Sequence, residues 1–257
     1  MSEDSKKLVK SERKIAVAFS GGALRAAAHI GVIRFLEEKG VHIGAVSGSS
    51  AGAMIALFVA AGLSSDEMES FLFSIKKRDL FSLSRGTGFF SLKNIESMLR
   101  ERLGVLDYEE LDIPCFSCVT ELNSAHTVYL DRGDPISNVI ASSSLTPIFD
   151  PYEIDEVWYA DGGFSDNLPV RPLLQYDMKT LAVNVNPLKD GVPDSFRSLT
   201  MRSILLMLHS NILPSVSLCD FFLEVVDVSD MNIFDFRSLE KAVEAGYDEM
   251  RSFWKNI

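Results

Sequence analysis

The chain has 257 residues, of which 47% are hydrophobic and 24% are charged. This composition is typical of a globular protein that buries a substantial core. The net charge of −11 excludes a general nucleic-acid-binding protein, because such proteins present a basic surface.

The first predicted element is preceded by a polar segment, residues 1–13, which we predict to be a mobile tail without a signal peptide. The longest apolar run, Ala51 to Leu63, is shorter than the ~20 residues that a transmembrane helix needs. Three cysteines without a secretion signal fit a reducing compartment, so we predict a cytoplasmic protein. We interpret two basic clusters as solvated surface, with transient contact to membrane headgroups as the alternative: Lys6-Lys7-Lys10 and Lys76-Lys77-Arg78.

Short apolar runs alternate along the chain with helical patterns of three- and four-residue spacing. Ser64 and Glu67 form a predicted capping box, and residues 79–91 are a predicted loop. The predicted elements in order are strand 14–19, helix 24–36, strand 43–46, helices 51–62, 65–76 and 92–103, strands 115–121 and 126–130, helix 135–143, strand 157–160, helix 169–176, strand 180–186, helix 197–211, strand 221–226 and helix 237–254.

This alternation predicts an α/β fold with three layers, in which helices cover both faces of a largely parallel sheet. We expect one domain over residues 14–257. The turn Asn123-Ser124 joins two adjacent predicted strands, so one antiparallel hairpin is expected to make the sheet mixed.

The pentapeptide Gly48-Ser49-Ser50-Ala51-Gly52 lies between a predicted strand and a predicted helix. Gly-x-Ser-x-Gly in this position is the nucleophile-elbow pattern, in which a sharp turn presents the serine hydroxyl. Ser50 is therefore a candidate nucleophile. The alternative is a Gly/Ser turn between two core elements.

A serine nucleophile needs a base. In the α/β-hydrolase order of a Ser-His-Asp triad, the histidine lies late in the chain, after the acid. His209 is the only candidate, and we interpret it as a packing residue because it lies inside an apolar helical pattern. Asp161 is the better candidate, because it ends a strand and precedes Gly162 and Gly163, which permit close approach of another backbone. The alternative at this position is a plain Asp-Gly turn.

The turn after the first predicted strand, Gly21-Gly22, offers backbone N–H groups to a developing oxyanion. The surrounding residues, Ser20 to Arg25, match neither the dinucleotide-binding nor the P-loop pattern. Cys115 and Cys118 lie in a strand-like run and lack a second pair, so we interpret them as buried thiols rather than as a zinc or redox site.

Together these segments resemble the patatin-like phospholipase family, in its smaller bacterial branch. The similarity covers residues 14–257 and is carried by three ordered blocks, with softer similarity at Ala141-Ser142-Ser143-Ser144, Pro147 and Ala245-Gly246-Tyr247. The blocks are Phe19 to Val32, which contains Gly21-Gly22-Ala23-Leu24-Arg25 and His29; Gly48 to Ala53; and Asp161 to Val170, which begins Asp161-Gly162-Gly163.

The resemblance implies a fold like the catalytic domain of cytosolic phospholipase A2 and hydrolysis of lipid acyl esters without a metal or organic cofactor. It implies a Ser50–Asp161 dyad and an oxyanion hole at Gly21, Gly22 and position 23. Arg25, beside the hole, either holds a substrate phosphate or braces the loop, and His29 packs. The motif glycines are Gly48, Gly52, Gly162 and Gly163.

The chain departs from the family pattern at Ala23 and Ala26, where the family has glycine. An alanine keeps the N–H group but disfavours a positive φ. Because the dyad blocks are otherwise intact, we expect Ala23 to adopt an ordinary negative φ. The alternative is a positive φ, with strain that distorts the loop and misaims its N–H groups.

The expected function is lipid acyl hydrolysis, with a lipid or acyl ester as substrate. An acyl-CoA thioesterase with the same dyad, or a non-catalytic lipid-binding protein on this scaffold, are the alternatives. Helix 197–213 is interpreted as core, with a role as a wall for the acyl chain as the alternative. The motifs specify no chain length, headgroup, positional preference or oligomeric state.

Overall fold

The computed structural model describes residues 14–80, 82–104, 107–188 and 191–256, so the predicted tail and the cluster at Lys6-Lys7-Lys10 lie outside the described residues. The strands are β1 Ile15–Phe19, β2 Ile43–Ser49, β3 Ser82–Leu83, β4 Phe90–Ser91, β5 Cys115–Glu121, β6 Thr127–Leu130, β7 Tyr152–Ile154, β8 Val157–Asp161, β9 Lys179–Asn184 and β10 Phe221–Glu224. The helices are α1 Ala27–Glu38, α2 Ala51–Ala60, α3 Ser65–Ser74, α4 Lys77–Leu80, α5 Lys93–Leu103, α6 Pro135–Ser142, α7 Phe196–Leu218 and α8 Leu239–Asn256.

The central sheet has the strand order β10-β9-β1-β2-β5-β8-β7, and β6 also pairs with β5. Strands β10, β9, β1, β2 and β5 are mutually parallel, whereas β6 and β8 run antiparallel to β5 and β7 runs antiparallel to β8. This confirms the predicted mixed, mostly parallel sheet and the predicted β5–β6 hairpin. The β7–β8 hairpin is an addition to the prediction.

Two strands share one edge of β5. Strand β6 pairs with Ser117 to Thr120, so it occupies one edge there. Strand β2 pairs with Cys115 to Cys118 and β8 with Val119 to Glu121, so both must lie on the opposite edge. Because β2 is parallel and β8 antiparallel to β5, their carboxyl ends meet head-on at this edge. The residues that follow β2 and end β8 are therefore brought together.

The core lies on both faces of the sheet, as the alternation in β1 shows. Ile15, Val17 and Phe19 point into the larger apolar cluster with α1, α2 and α8. Ala16 and Ala18 point into a smaller cluster that includes Ile212 of α7. The small alanine side chains on the second face allow α7 to pack close to the sheet. Helices therefore cover both faces, as the predicted three-layer arrangement requires.

Helices α1 and α8 cross in direct backbone contact. A Cβ on Gly31 would lie 1.9 Å from the Val243 carbonyl oxygen, and a Cβ on Gly246 would lie 1.8 Å from the Ala28 carbonyl oxygen. No larger residue fits at either position without separating the helices. The contact fixes α1, which follows directly on the glycine-rich loop.

Three local predictions need correction. Residues 169–176 contain only a short 3-10 helix, Arg171–Gln175, because Pro169 and Pro172 remove backbone donors. The predicted loop at 79–91 contains the end of α4 and the β3–β4 hairpin. Helix α7 extends to Leu218, seven residues beyond its predicted end. Neither α7 nor another helix in the described ranges is long and apolar enough to cross a bilayer.

The predicted capping box is confirmed. The Ser64 hydroxyl accepts a hydrogen bond from the Glu67 N–H, and the Glu67 carboxylate accepts one from the Ser64 N–H. Helix α3 therefore begins where the sequence predicts.

Candidate active site

Ser50 occupies a strained turn between β2 and α2. Its φ is 53° and its ψ is −130°, a conformation rare for any residue with a side chain. The turn is tight enough that a Cβ on Gly48 would lie 2.2 Å from the Gly52 carbonyl oxygen, and a Cβ on Gly52 would lie 2.5 Å from the Phe19 carbonyl oxygen. Only glycine fits on either side, which explains the Gly-x-Ser-x-Gly pattern.

The Ser50 hydroxyl is hydrogen-bonded to Asp161, at the head-on meeting of β2 and β8. The Ser50 Oγ donates to Asp161 Oδ2 over 2.6 Å, and the Gly163 N–H donates to Asp161 Oδ1 over 2.7 Å. Gly162 packs against β5, since a Cβ there would lie 2.2 Å from the Cys118 carbonyl oxygen. The two side chains that the sequence singled out are thus in direct contact.

Asp161 is only 3% exposed. Burial raises the pKa of its carboxyl group to about 6, against the opposing effect of the hydrogen bonds from Ser50 and Gly163. A carboxylate with a raised pKa is a stronger base than a solvated aspartate and is still ionised near neutral pH. This is the property that general-base catalysis requires.

Ser142 braces the turn at Ser50 and was not given a role by the sequence. Its Oγ accepts a hydrogen bond from the Ser50 N–H over 2.9 Å and donates one to the Cys118 carbonyl oxygen over 2.5 Å. Ser142 is fully buried at the end of α6. The run Ala141 to Ser144 carried a weak signal, but the contact depends on how α6 packs over β5.

The peptide groups of the glycine-rich loop are individually oriented. The Gly21 N–H donates to the Asn167 carbonyl oxygen over 3.1 Å, so the prediction that Gly21 is an oxyanion donor is wrong. The Gly21 carbonyl oxygen accepts a hydrogen bond from Asn186 Nδ2 over 2.5 Å. Because a trans peptide directs its C=O and N–H oppositely, the Gly22 N–H points away from Asn186. Among the described residues, the N–H groups of Gly22 and Ala23 have no acceptor.

Ala23 has a φ of 49°, so the expectation of a negative φ is wrong. The neighbouring residues fix this conformation, because the Leu24 N–H donates to the Ile233 carbonyl oxygen and the Arg25 N–H donates to the Gly22 carbonyl oxygen. Ala26 has an ordinary helical φ of −60°. The departure from glycine thus strains the loop at one position and not at the other.

Arg25 braces the protein interior. Its Nε donates to the Met231 carbonyl oxygen over 2.8 Å and its Nη2 to the Ser229 carbonyl oxygen over 2.9 Å. Burial lowers the pKa of this guanidinium group, while Asp230 opposes that shift. Of the two interpretations of Arg25, the structure supports the brace.

His29 is fully buried and packs edge-on against Phe19, as predicted. Its Nε2 donates to the Ser20 carbonyl oxygen over 2.9 Å, and burial lowers the pKa of the imidazole to about 4. His209 lies inside α7, and His126 is exposed in the β5–β6 turn. Within the described ranges, no histidine is hydrogen-bonded to Ser50 or Asp161.

The predicted buried thiols are confirmed. Cys115 and Cys118 are unpaired and buried in β5, and burial raises the pKa of Cys115 to about 12. The described part of the chain contains no group of three His, Cys, Asp or Glu residues placed to hold a metal ion. The absence of a cofactor stays a prediction.

An apolar cavity opens beside Ser50. Its solvent-accessible volume is about 100 Å³, and only Ser50 and Ser143 contribute polar side chains to its wall. The suggestion that helix 197–213 walls this site is wrong, because α7 packs on the opposite face of the sheet. The lining residues come instead from the loop at Ala23, from α2, α3, α4, α5 and α6, and from the segment between α6 and β7. They include Met54, Leu72, Leu80, Ile95, Val139 and Phe149.

The sequence profile of the patatin-like phospholipase family matches residues 17–174, which is more than half of the chain and includes all three motif blocks. The protein belongs to this family. VipD from Legionella pneumophila has the same fold, with a TM-score of 0.65 over 96% of this chain and 67% of that chain, at 14% identity.

Curated proteins with similar sequences carry names from the NTE group. An uncharacterized NTE family protein of Mycobacterium tuberculosis is 31% identical over 194 residues, which cover 72% of this chain and 54% of that protein. Lysophospholipase NTE1 of Mycosarcoma maydis is 26% identical over 194 residues, which cover 71% of this chain and 10% of that protein. The chain spans about half the length of the mycobacterial relatives that it matches.

Replacing Ala23 by glycine should relieve strain without improving the site. Because a positive φ in a residue with a Cβ costs about 1 kcal/mol, Ala23→Gly should raise the free energy of unfolding by up to that amount. Ala125 has a similar φ of 59° in an exposed turn, so Ala125→Gly is a matched control. Urea denaturation measures both variants. A tenfold rise in kcat for Ala23→Gly, without such a rise for Ala125→Gly, would show that the N–H groups of the wild-type loop are misdirected and would contradict this prediction.

The buried Asp161 should destabilise the folded protein at neutral pH. Its folded-state pKa of about 6 lies above the ordinary value of 3.8, so the folded state loses stability from this group as pH rises from about 4 through 6. Asp161→Asn should then be more stable than the wild type by about 2–3 kcal/mol at pH 8 and equally stable below about pH 4.

The matched control for this comparison is Asp155→Asn, an exposed carboxyl group in the β7–β8 hairpin. Asparagine tolerates the positive φ of 50° at this position, so the change should stay below about 0.5 kcal/mol. Unfolding by urea at several pH values measures the difference. The assignment of an uncompensated buried charge is contradicted if the free energy of unfolding that Asp161→Asn gains over the wild type is smaller at pH 8 than at pH 4.

Proposed function

We propose that this protein hydrolyses acyl esters of lipids through an acyl-enzyme on Ser50, with Asp161 as the base. The observation that carries this proposal is the 2.6 Å hydrogen bond from Ser50 Oγ to Asp161 Oδ2. It joins a hydroxyl group in a strained elbow to a buried carboxylate, at the mouth of an apolar cavity.

In the acylation step, Ser50 Oγ attacks the ester carbonyl carbon while Asp161 takes the hydroxyl proton. The N–H groups of Gly22 and Ala23 donate hydrogen bonds to the carbonyl oxygen and stabilise the negative charge that develops on it. The C–O bond to the alcohol then breaks, and the leaving alcohol takes the proton from Asp161. Preorganised backbone donors of this kind typically contribute about 10²–10³ each to the rate.

In the deacylation step, a water molecule attacks the acyl carbonyl carbon and gives a proton to Asp161. Collapse of the second oxyanion breaks the bond to Ser50 Oγ, which regains the proton. A free fatty acid leaves. The same carboxylate thus serves both half-reactions, and no histidine is needed.

The wall of the cavity supports an apolar acyl group as part of the substrate. Apart from two serines, its lining side chains are hydrocarbon or thioether groups that gain from displacing water with an alkyl chain. The names of the relatives, which include lysophospholipase NTE1 and neuropathy target esterase, support a lipid ester as the scissile group.

Hydrolysis of a panel of short and long acyl esters by the purified protein tests this proposal. Ser50→Ala should lower kcat/KM by about three orders of magnitude, and Asp161→Asn should do the same without unfolding. His209→Ala and His126→Ala are the controls and should keep most of the activity. Circular dichroism shows that each variant is folded.

Three outcomes contradict the proposal. A folded His209→Ala variant without activity would restore a histidine base. Faster turnover of acyl-CoA than of every oxygen ester would favour a thioesterase on the same dyad. Tight binding of lipid without turnover of esters or acyl-CoA would indicate a non-catalytic lipid-binding protein.

A further inference from the structure

One exposed segment beside the cavity is basic, although the chain as a whole is acidic. This cationic segment comprises residues 76–80 and 82–91, that is, α4 and the β3–β4 hairpin. It carries four cations, Lys76, Lys77, Arg78 and Arg85, and one acidic residue, Asp79, so its net charge is +3 in a protein of net charge −11. All four cations are exposed.

The same segment exposes two large apolar side chains. Leu83 is 83% exposed and Phe89 is 69% exposed. Leu83 pairs with Phe90 across the hairpin, so Leu83 and Phe89 project from opposite faces of the ribbon. A protein partner that docks on one face would leave the other side chain in water. A bilayer surrounds an inserted tip and can take up both.

The hairpin is held in place by Asp150. The Asp150 carboxylate accepts hydrogen bonds from the Gly88 N–H, over 2.7 Å, and from the Ser84 hydroxyl group. The Phe90 N–H also donates to the Ile148 carbonyl oxygen over 2.9 Å. Because the tip is ordered before it meets a partner, little conformational entropy is lost on binding.

The cationic segment borders the cavity that contains Ser50. Ile75 and Leu92, which flank the segment, and Leu80 within it all line that cavity. A surface that binds the segment therefore lies next to the entrance for the acyl chain.

We propose that the cationic segment docks the protein on anionic phospholipid bilayers. Lysine and arginine side chains contact the anionic headgroups, while Leu83 and Phe89 enter the interface between headgroups and acyl chains. Docking then presents bilayer lipid to the cavity, and this last step rests on the proposed hydrolase function. The binding itself does not.

Co-sedimentation of the full chain with sucrose-loaded vesicles tests the docking. Binding should require vesicles with about one-third phosphatidylserine and should weaken with salt. Lys77→Gln with Arg85→Gln should weaken it about 25-fold, at about fivefold per cation. Leu83→Ser with Phe89→Ser should weaken it at least about tenfold.

The controls replace matched residues elsewhere on the surface. Lys241→Gln with Lys255→Gln removes two exposed cations of α8, and Phe196→Ser with Leu199→Ser removes apolar side chains that are 88% and 55% exposed on α7. Each control should change binding less than about twofold. The proposal is overturned if the α7 control loses vesicle binding while the variants of the cationic segment retain it. Equal vesicle binding by all variants, or binding to an acidic protein but not to vesicles, also overturns it.

Activity separates this proposal from the preceding one. The two double variants of the cationic segment should keep the wild-type rate on a soluble short-chain ester. Their rate on vesicle lipid should fall in proportion to the loss of vesicle binding. Ser50→Ala should bind vesicles as the wild type does. Vesicle binding by a protein without esterase activity would support docking and contradict the hydrolase function.

Discussion

Strand β5 accepts two partners on one edge, and the hydrogen bond between Ser50 and Asp161 depends on how they share it. Strand β2 ends opposite Cys118 and β8 ends opposite Val119, so two carboxyl termini face each other at adjacent positions. An all-parallel sheet would align both termini along one rim and separate them by the strands between. Reversing β8 places a carboxylate within 2.6 Å of the serine hydroxyl without a long loop.

This arrangement concentrates unfavourable features in a small volume. Ser50 and Ala23 hold positive φ values of 53° and 49°, and Asp161 is buried with no cation of the described ranges acting on its carboxyl group. Strained residues of this kind persist only where the surroundings determine them. Here Ser142, Asn186 and the carbonyl oxygen of Asn167 fix the elbow and the loop. These contacts hold the groups in a reactive geometry that the isolated segments would not adopt.

The sequence predicts the parts of the site that depend on short patterns. The glycines around Ser50 and after Asp161 identify both residues, because each turn excludes a Cβ for reasons that are local or nearly so. The alternation of strands and helices likewise predicts the layers. The β7–β8 hairpin was not predicted, since its Asp155-Glu156 turn lacks the Asn-Gly signal of a type I′ turn. The head-on pairing was not predicted either, because it depends on the long-range antiparallel contact between β8 and β5.

Features set by tertiary packing could not be predicted. The direction of Arg25 depends on the carbonyl groups of Ser229 and Met231, some 200 residues away. The position of α7 depends on which face of the sheet it covers, so its apolar residues, although interpreted as core, left a cavity wall open as the alternative. The Gly-Gly pattern favours Gly21 as an oxyanion donor, but its N–H donates to the Asn167 carbonyl oxygen, a contact that no local pattern indicates.

The most direct measurement of the central claim is the rate at which a fluorophosphonate reagent labels Ser50, followed by mass spectrometry as a function of pH. The Ser50–Asp161 bond predicts a rate that rises about tenfold per pH unit below about 6 and is constant above it. The His209→Ala variant should show the same profile, and Asp161→Asn should label slowly at every pH. Rapid labelling of Asp161→Asn, or a profile that changes in His209→Ala, would contradict the account.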